Sequence, residues 1–476
     1  MNAPSDPNLH ISTEDYSETE NWHVNTGNKT IHAKRMPGRF RTLKNITASL
    51  WLLFFLVPYL RWNGRQAVLF DIPNGQFHFF SATVLPHDIW MLAFVLLLLA
   101  VTLFAAAAIA SRVFCGYFCF QTVWTDWFTW IEQKIEGSPA QRHKLDQAPW
   151  TPRKIGLKTA KHTIWLLISI VTGISFSVWF TDAPAYWSNL LHMQLPTVAW
   201  VTLSMFVLGT YTLAGHMREQ VCLWMCPYSR IQGVFSDADT LLPTYDTTRG
   251  EPRQKIRKHT DGTAHNGGDC IDCFQCVQVC PTGVDIRGGH QLGCITCGLC
   301  IDACDTVMDK IGRPHGLIRY ASMNEMTGTP ARKPYQQPKV VGYALLCLIS
   351  IASIVYGFFS METLTLSVEH ERQPLFVQLS DGSIQNQYLL KITNKTQQDL
   401  WVRIRNQNHD PHLALIGAEQ PVLARHGRAT PLTLFVKTDR GTSIQNLHSL
   451  TLRVEDISHP ESSASYTTQF FSPTNR

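Results

Sequence analysis

Five apolar runs, a dense block of cysteines and a cysteine-free tail of alternating segments predict a polytopic α-helical membrane protein with five transmembrane helices, a cysteine-rich insert and a C-terminal β-sandwich. The 476 residues suffice for two to four folding units. Charged residues make up only 16% of the chain, against roughly 25% in an ordinary soluble domain, and the deficit points to a lipid bilayer. The formal charge of +5 does not suggest nucleic acid, because the basic residues flank apolar runs and form no aromatic-interleaved patch. They read as topology signals.

Residues 1–45 are polar and end in Lys34, Arg35, Arg39, Arg41 and Lys44, with no apolar core or small-residue cleavage site, so no cleavable signal peptide is expected. The apolar runs cover 46–60, 89–110, 163–180, 198–213 and 340–359. The second and fifth approach the roughly 20 residues that span a bilayer. The others are short, and their alternative is a set of buried helices in a soluble core. Loop charge decides between the two: 182–197 has no Lys or Arg and 61–86 has Arg61 and Arg65, whereas 111–161 and 216–339 are rich in both. By the positive-inside rule the N-terminal segment (1–45), the loop 111–161 of the four-helix region (46–215) and the 216–339 domain face the cytoplasm. The fifth span (340–359) then places 360–476 outside.

That tail carries alternating segments at 364–368, 388–392, 400–404 and 432–436, separated by turn formers such as Asp381-Gly382 and His426-Gly427. Period-two alternation at this spacing predicts the β-sandwich.

Of 13 cysteines, 12 lie between Cys115 and Cys304, in a chain too long for a small disulfide scaffold, so metal binding and a reducing compartment are expected. The most specific motif is Cys270-x2-Cys273-x2-Cys276-x3-Cys280-Pro281, followed by Cys294-x2-Cys297-x2-Cys300-x3-Cys304. In such runs three ligands wrap one cubane and the fourth reaches across to the other. The pattern therefore predicts two 4Fe-4S clusters in a ferredoxin-like insert, one on Cys270, Cys273, Cys276 and Cys304, the other on Cys294, Cys297, Cys300 and Cys280. Zinc would use paired Cys-x2-Cys units without two complete four-cysteine runs. Asp305 stands where the first run has proline, and proline is no ligand. Ile271, Phe274, Val277, Ile295 and Leu299 are expected to shield the clusters.

Two further pairs, Cys115-x3-Cys119 and Cys222-x3-Cys226, follow the second and fourth spans. On a helix each i,i+4 pair shares a face. Four thiolates, or two with Met217, Met225 or His216, suit a soft ion such as Cu(I). The alternative is small buried apolar cysteines. Lone Cys347 is assigned to packing, and His78, His87, His162 and His192 to polar anchoring at the membrane interface instead of haem ligation.

At these residues the chain resembles the CcoG/FixG/RdxA family, proteins required for assembly of bacterial cytochrome c oxidases of the cbb type. The matching stretches are Arg61-Trp-Asn-Gly-Arg-Gln-Ala-Val-Leu-Phe-Asp71, residues 115–126 with Gln-Thr-Val-Trp-Thr-Asp, Cys226-Pro-Tyr228, and 270 through Cys304-Asp-Thr-Val-Met-Asp309 to Gly316-Leu-Ile-Arg-Tyr320. The tail resembles that family's immunoglobulin-like (Ig-like) domain. The resemblance implies a multi-pass protein of the bacterial inner membrane, clusters on the cytoplasmic side and the Ig-like domain in the periplasm. It also implies reduction of Cu(II) to Cu(I) at Cys115, Cys119, Cys222 and Cys226, with copper as substrate or transiently bound ion. Expected partners are an electron donor and cbb-type oxidase subunits or copper-delivery proteins; a homodimer is admissible. Phe120 departs from the proline that the family usually places after the second cysteine of a pair, whereas Asp305 is what the family usually shows. Two rivals remain at this point: a membrane quinol dehydrogenase, and a non-catalytic assembly scaffold whose clusters only hold the insert folded.

Overall fold

The computed structural model describes residues 31–472 apart from 32, 74, 81, 85–88, 255–266, 331, 361, 372, 397, 409–411 and 439–446. Most of the polar N-terminal segment and His87 therefore lie outside the described residues. Among the described residues, five helices are long and apolar enough to cross a membrane: Arg39–Tyr59, Trp90–Ala110, Pro152–Ser177, Thr197–Met217 and Pro338–Phe359. The first and third begin earlier than their apolar runs. Their opening turns carry lysines and arginines that turn inward to carboxylates: Arg41 and Lys44 to Asp126, Lys158 and Lys161 to Glu136. Hydropathy alone hides those turns.

The chain forms two compact units. The first comprises Met1–Phe55, Leu96–Ser177 and Leu195–Ser350. Part of its 111–161 segment, expected as a loop, folds into the helices Phe120–Ile135 and Pro139–Gln147, the latter opened by a capping box between Ser138 and Gln141. The longer helix buries Val123, Trp124, Phe128 and Ile131 on one face, against Trp165 and Ala214. Trp124 Nε1 donates to Thr172 Oγ1 at 2.9 Å. Beside them Glu132 is buried and takes Arg142 at 3.0 Å and Arg218 at 2.6 Å. A buried carboxylate is tolerable only when paired in this way.

The second unit comprises Leu56–Val95, Val178–Gln194 and Ile351–Arg476. Residues 61–84, read as a loop, form a two-stranded hairpin and a three-stranded sheet. Asn63 (φ 49) and Gly64 (φ 81) make the first turn, in which both central residues need positive φ. The C-terminal sandwich is as expected. One sheet orders Leu413–Ile416, Ala429–Thr438, Ile384–Asn394 and Leu364–His370, with Val377–Gln378 paired to the third; the other orders Val422–Ala424, Leu400–Asn406, Leu447–Asp456 and Ser463–Phe471. Every strand pair is antiparallel. Alternate residues, among them Tyr388, Leu390, Ile392, Val402, Leu434, Leu452 and Phe470, fill the core between the sheets.

Candidate metal centre

The two cysteine runs fold alike. In the first loop Asp272 (φ 50) and Phe274 (φ 56) are left-handed; in the second, Thr296 (φ 53) and Gly298 (φ 70) take the same places. These reversals turn successive cysteines toward a common point, and only Gly298 is a residue for which such a backbone carries no steric cost. At Gly298 a Cβ would also stand 2.8 Å from the Phe40 ring, so the glycine lets the start of the first span close over this loop.

Cys304 has Cys276, Cys270 and Cys273 as neighbours, whereas Cys300 faces Cys297, Cys294 and Cys280, with Cys276 beyond. Both sit on the helix Leu299–Ile311, which therefore runs between the two groups of thiols. A fourth-cysteine proline would fall inside this helix and remove a helical N–H. Asp305 avoids that, and its Oδ1 accepts from Gly316 N at 3.1 Å. A cavity lined by Cys270, Cys273, Cys276, Cys304, Tyr245 and Leu317 lies within the first group.

Burial raises the thiols. Cys276, Cys294 and Cys304 are pushed up to about 12, each further raised by neighbouring sulfurs. Thiols so crowded are disfavoured as anions until a metal centre neutralises them, which is the donor chemistry an iron–sulfur cubane needs. The shielding expected of the apolar neighbours holds for Ile295 and Leu299, which are buried, and fails for Phe274, which is 45% exposed. Arg287 sits over its ring at 4.1 Å from the centroid, and Cys273 beside it is exposed. The first group of thiols thus meets solvent at Cys273, whereas no cysteine of the second group is exposed.

The membrane pairs depart from the i,i+4 helical face expected of them. Cys115 lies in the short helix Val113–Tyr117, and Cys119 is already the extended N-cap of Phe120–Ile135. Cys222 lies in the π-helical turn Val221–Met225, and Cys226 is the extended N-cap of Pro227–Val234. Each pair is closed by the same i→i+5 bond, Cys119 N to Phe114 O at 2.9 Å and Cys226 N to Val221 O at 2.8 Å. Phe120 and Pro227 occupy the same first helical position, where proline is tolerated but not required. The departure at Phe120 therefore leaves the turn intact.

The four thiols lie near enough to act on one another electrostatically. Burial, then Cys119 and Cys222, push Cys115 up to about 12; burial, then Cys119 and Cys226, do the same to Cys222. Cys119 is raised less sharply because the N–H groups of Thr122 and Gln121, at the start of its helix, donate toward it. Among the described residues no three His, Cys, Asp or Glu side chains stand as a ready single-ion site. The thiols must close in for one ion. His216 stacks on His162 at 5.8 Å and Met225 is 55% exposed, so neither is drawn into the quartet.

The quartet is seated on the second cluster loop. Tyr117 Oη donates to Cys297 O at 2.9 Å, and a Cβ on Gly116 would stand 2.6 Å from Ile295 O and 3.1 Å from Cys297 Cα. Arg112 donates to Leu292 O on one side and to Ser229 O on the other, and Ser229 Oγ donates to Cys222 O (2.6 Å) and Cys226 O (2.9 Å). Its guanidinium lies among Cys115, Cys294, Cys222 and Cys226. Sequence reading missed Arg112, because nothing in Ser111-Arg112-Val113 marks a residue that joins two distant loops.

The start of the first span was missed as well. Asp302, between Cys300 and Cys304, accepts from Phe40 N at 3.2 Å and Arg41 N at 3.0 Å. Arg35, Arg41 and Lys44 converge on Asp126 at 3.2, 3.0 and 3.9 Å. Burial would raise the Asp126 carboxyl, but the three cations hold it down at about 2.

The remaining candidates make local contacts. His78 Nδ1 lies 3.1 Å from Thr83 Oγ1, and burial beside Arg65 lowers it to about 4. His162 meets the Tyr211 hydroxyl at 2.9 Å, and His192 the Ser188 carbonyl at 2.7 Å. Cys347 lies 3.7 Å from Thr102 on the second span.

With this geometry in view, residues 217–323 match the 4Fe-4S dicluster domain family, 92–139 a 4Fe-4S binding domain, and 354–473 the IG-like fold at the C-terminal of FixG. The chain is 35% identical to the nitrogen fixation protein FixG of Rhizobium meliloti, across 91% of either chain. It belongs to the FixG/RdxA family. Protein RdxA of Cereibacter sphaeroides is 37% identical over 90% of this chain and 94% of its own, and protein RdxB of that organism 39% over 77% and 79%. A crystal structure of a FixG-related protein from Vibrio parahaemolyticus covers 24% of this chain and 98% of its own at 20% identity, with a TM-score of 0.20. The protein is thus a FixG/RdxA-type membrane iron–sulfur redox protein: five apolar helices, an iron–sulfur insert and an Ig-like tail.

Proposed function

We propose that this FixG/RdxA-family protein is a cupric reductase that converts Cu(II) to Cu(I) at Cys115, Cys119, Cys222 and Cys226, supplying copper for assembly of a cbb-type oxidase. The observation that carries it is the seat of the Cys115 turn on the Cys294–Cys297 loop, through Gly116, Tyr117 and Arg112. When bound, clusters on Cys270, Cys273, Cys276 and Cys304 and on Cys294, Cys297, Cys300 and Cys280 supply electrons singly, as Cu(II) requires. Thiolates prefer Cu(I) to Cu(II), so ligation by the quartet favours uptake of the electron. Copper displaces the protons of Cys115 and Cys222, which without metal hold them to about pH 12. Gln232 Oε1, 3.2 Å from Cys115 Sγ, accepts the hydrogen bond that orients this thiol. In this scheme 1–45, 111–161 and 216–339 face the cytoplasm, and the 360–476 sandwich meets oxidase subunits or a copper carrier in the periplasm.

The test is a Cu(I) competition titration of the purified full chain against a chromogenic chelator. The parent should hold Cu(I), and Cys115→Ser and Cys222→Ser should each lose at least tenfold in affinity while keeping their iron. Equal affinity in all three would contradict the assignment.

A second reading, a quinol dehydrogenase, is favoured by one feature. An apolar cleft lined by Phe55, Trp127, Trp130, Leu167 and Val171 ends at Arg35 and Asp126, beside the cations of the first span. Reduction of the clusters by a quinol without any response to copper would select it.

A further inference from the structure

Lys44 is among the most deeply buried side chains of the molecule, 1% exposed, yet among the described residues its Nζ makes no hydrogen bond; its approach to Asp126 is a loose 3.9 Å. The nearby Arg41 Nε is likewise buried and unpartnered. A buried ammonium without an acceptor costs far more than an exposed one, so such atoms mark either a partner that has still to be bound or a site of function. Lys44 lines a cavity with Ile295, Val279 and Pro281, the residues next to Cys294 and Cys280, and its charge acts directly on Cys297. Cys222 lines the same cavity.

The charges around the two clusters differ in sign and in setting. Facing the second are Lys44, Arg41 and Arg112, all buried; of the acids there, Asp126 is also held by Arg35, Asp302 is held by two backbone N–H groups, and buried Glu219 lines the Lys44 cavity together with buried Arg218. Facing the first are Asp272 and Asp285, which share Arg287, with Arg253 also acting on Asp285, and Asp305 beside Cys304. Asp269 there is paired with both Arg249 and Arg313. The acids Asp272 and Asp285 are 30% and 38% exposed, so water screens them. At equal distance a charge in the protein acts about fourfold more strongly than one in water, so the buried cations prevail.

Resting on the two-cluster assignment above, we propose that Lys44, seconded by Arg41 and Arg112, is a positioning residue that holds the second cluster at a higher reduction potential than the first. A positive charge buried beside the cluster stabilises its reduced, more negative state. The order of potentials then favours the electron on the side of the thiol quartet, and the solvent-exposed edge at Cys273 becomes the place where a donor delivers it.

The experiment is an anaerobic redox titration of the full chain in detergent, followed by electron paramagnetic resonance, with iron and sulfide counted in each sample. Two waves should appear in the parent, and the one altered by Cys273→Ser belongs to the first cluster. Lys44→Met, which keeps the stem and removes the charge, should lower the other wave by about 59 mV or more, the one-electron equivalent of a tenfold change in equilibrium. Lys44→Arg should restore it, and neither should move the first wave. If Lys44→Met sheds the cluster, Lys44→Gln decides in the same way, with a smaller drop. An unmoved second wave in a variant with full iron content, or a parent whose second cluster has the lower potential, would overturn the proposal. A parent with no second wave and half the iron would instead overturn the two-cluster assignment beneath it.

Discussion

The Tyr117 hydroxyl donates to the carbonyl of Cys297 at 2.9 Å, which fixes the turn between Cys115 and Cys119 on the loop that carries Cys294 and Cys297. Gly116 makes the approach possible, since a Cβ there would stand 2.6 Å from Ile295 O, backbone that cannot yield cheaply. Gly116→Ala should therefore slow copper-dependent oxidation of the clusters by tenfold or more while their absorbance persists, as stopped-flow spectroscopy would record. Tyr117→Phe leaves the Cys297 carbonyl without its donor, a cost of about 1–3 kcal/mol, and should lower thermal stability with a smaller loss of rate.

Copper binding should strengthen with pH. Cys115 and Cys222 are raised to about 12, so both are protonated at neutral pH and each proton must leave before sulfur binds metal. Cu(I) affinity measured by chelator competition should climb from about pH 6 to about pH 8, with protons released in weakly buffered solution. An affinity flat across that range would mean the thiols are already ionised.

Asp126→Asn removes the one carboxylate on which Arg35, Arg41 and Lys44 converge. Breaking a buried pair on one side costs about 3–5 kcal/mol, and thermal unfolding in detergent should show a loss of that order. The sign of the acid dependence follows. Asp126 is held at about 2 in the folded protein, below the unfolded value near 3.9. Its contribution is present above pH about 3.9 and is lost as pH falls toward about 2, so the variant and parent should converge in acid.

Removing iron should unfold the insert and spare the tail. Cys270 and Cys276 are themselves part of a core with Ile286, Ile301, Met308 and Leu317, so emptied loops expose apolar surface. The sandwich core around Tyr388, Leu390, Val402 and Phe470 contains no cysteine. Chelation followed by limited proteolysis should cut within 270–304 and leave the 364–471 fragment whole.

Much of this was legible in sequence because it is local. The two four-cysteine runs carry their spacing on their face, and the alternation at 388–392 and 432–436 reports a strand whatever lies around it. The Asn63-Gly64 turn was equally local and was read as loop because its flanking strands are only two residues each. The helix Phe120–Ile135 was hidden in a segment scored for charge, although Val123, Trp124, Phe128 and Ile131 recur at helical spacing. Other features have no local signature. An i→i+5 closure such as Cys226 to Val221 needs no special residue, and the nearness of Lys44 to Cys297 or Arg112 to Ser229 exists only after folding.

The most direct test of the central claim is anaerobic. The detergent-solubilised protein is reduced, Cu(II) is added, and cluster oxidation is followed together with Cu(I) captured by a chromogenic chelator. The parent is compared with Cys115→Ala/Cys119→Ala and Cys222→Ala/Cys226→Ala variants of unchanged cluster spectrum. Cu(I) should appear in step with cluster oxidation in the parent and fail to appear in either variant. Variants that reduce copper as fast as the parent would contradict the assignment of the thiol quartet.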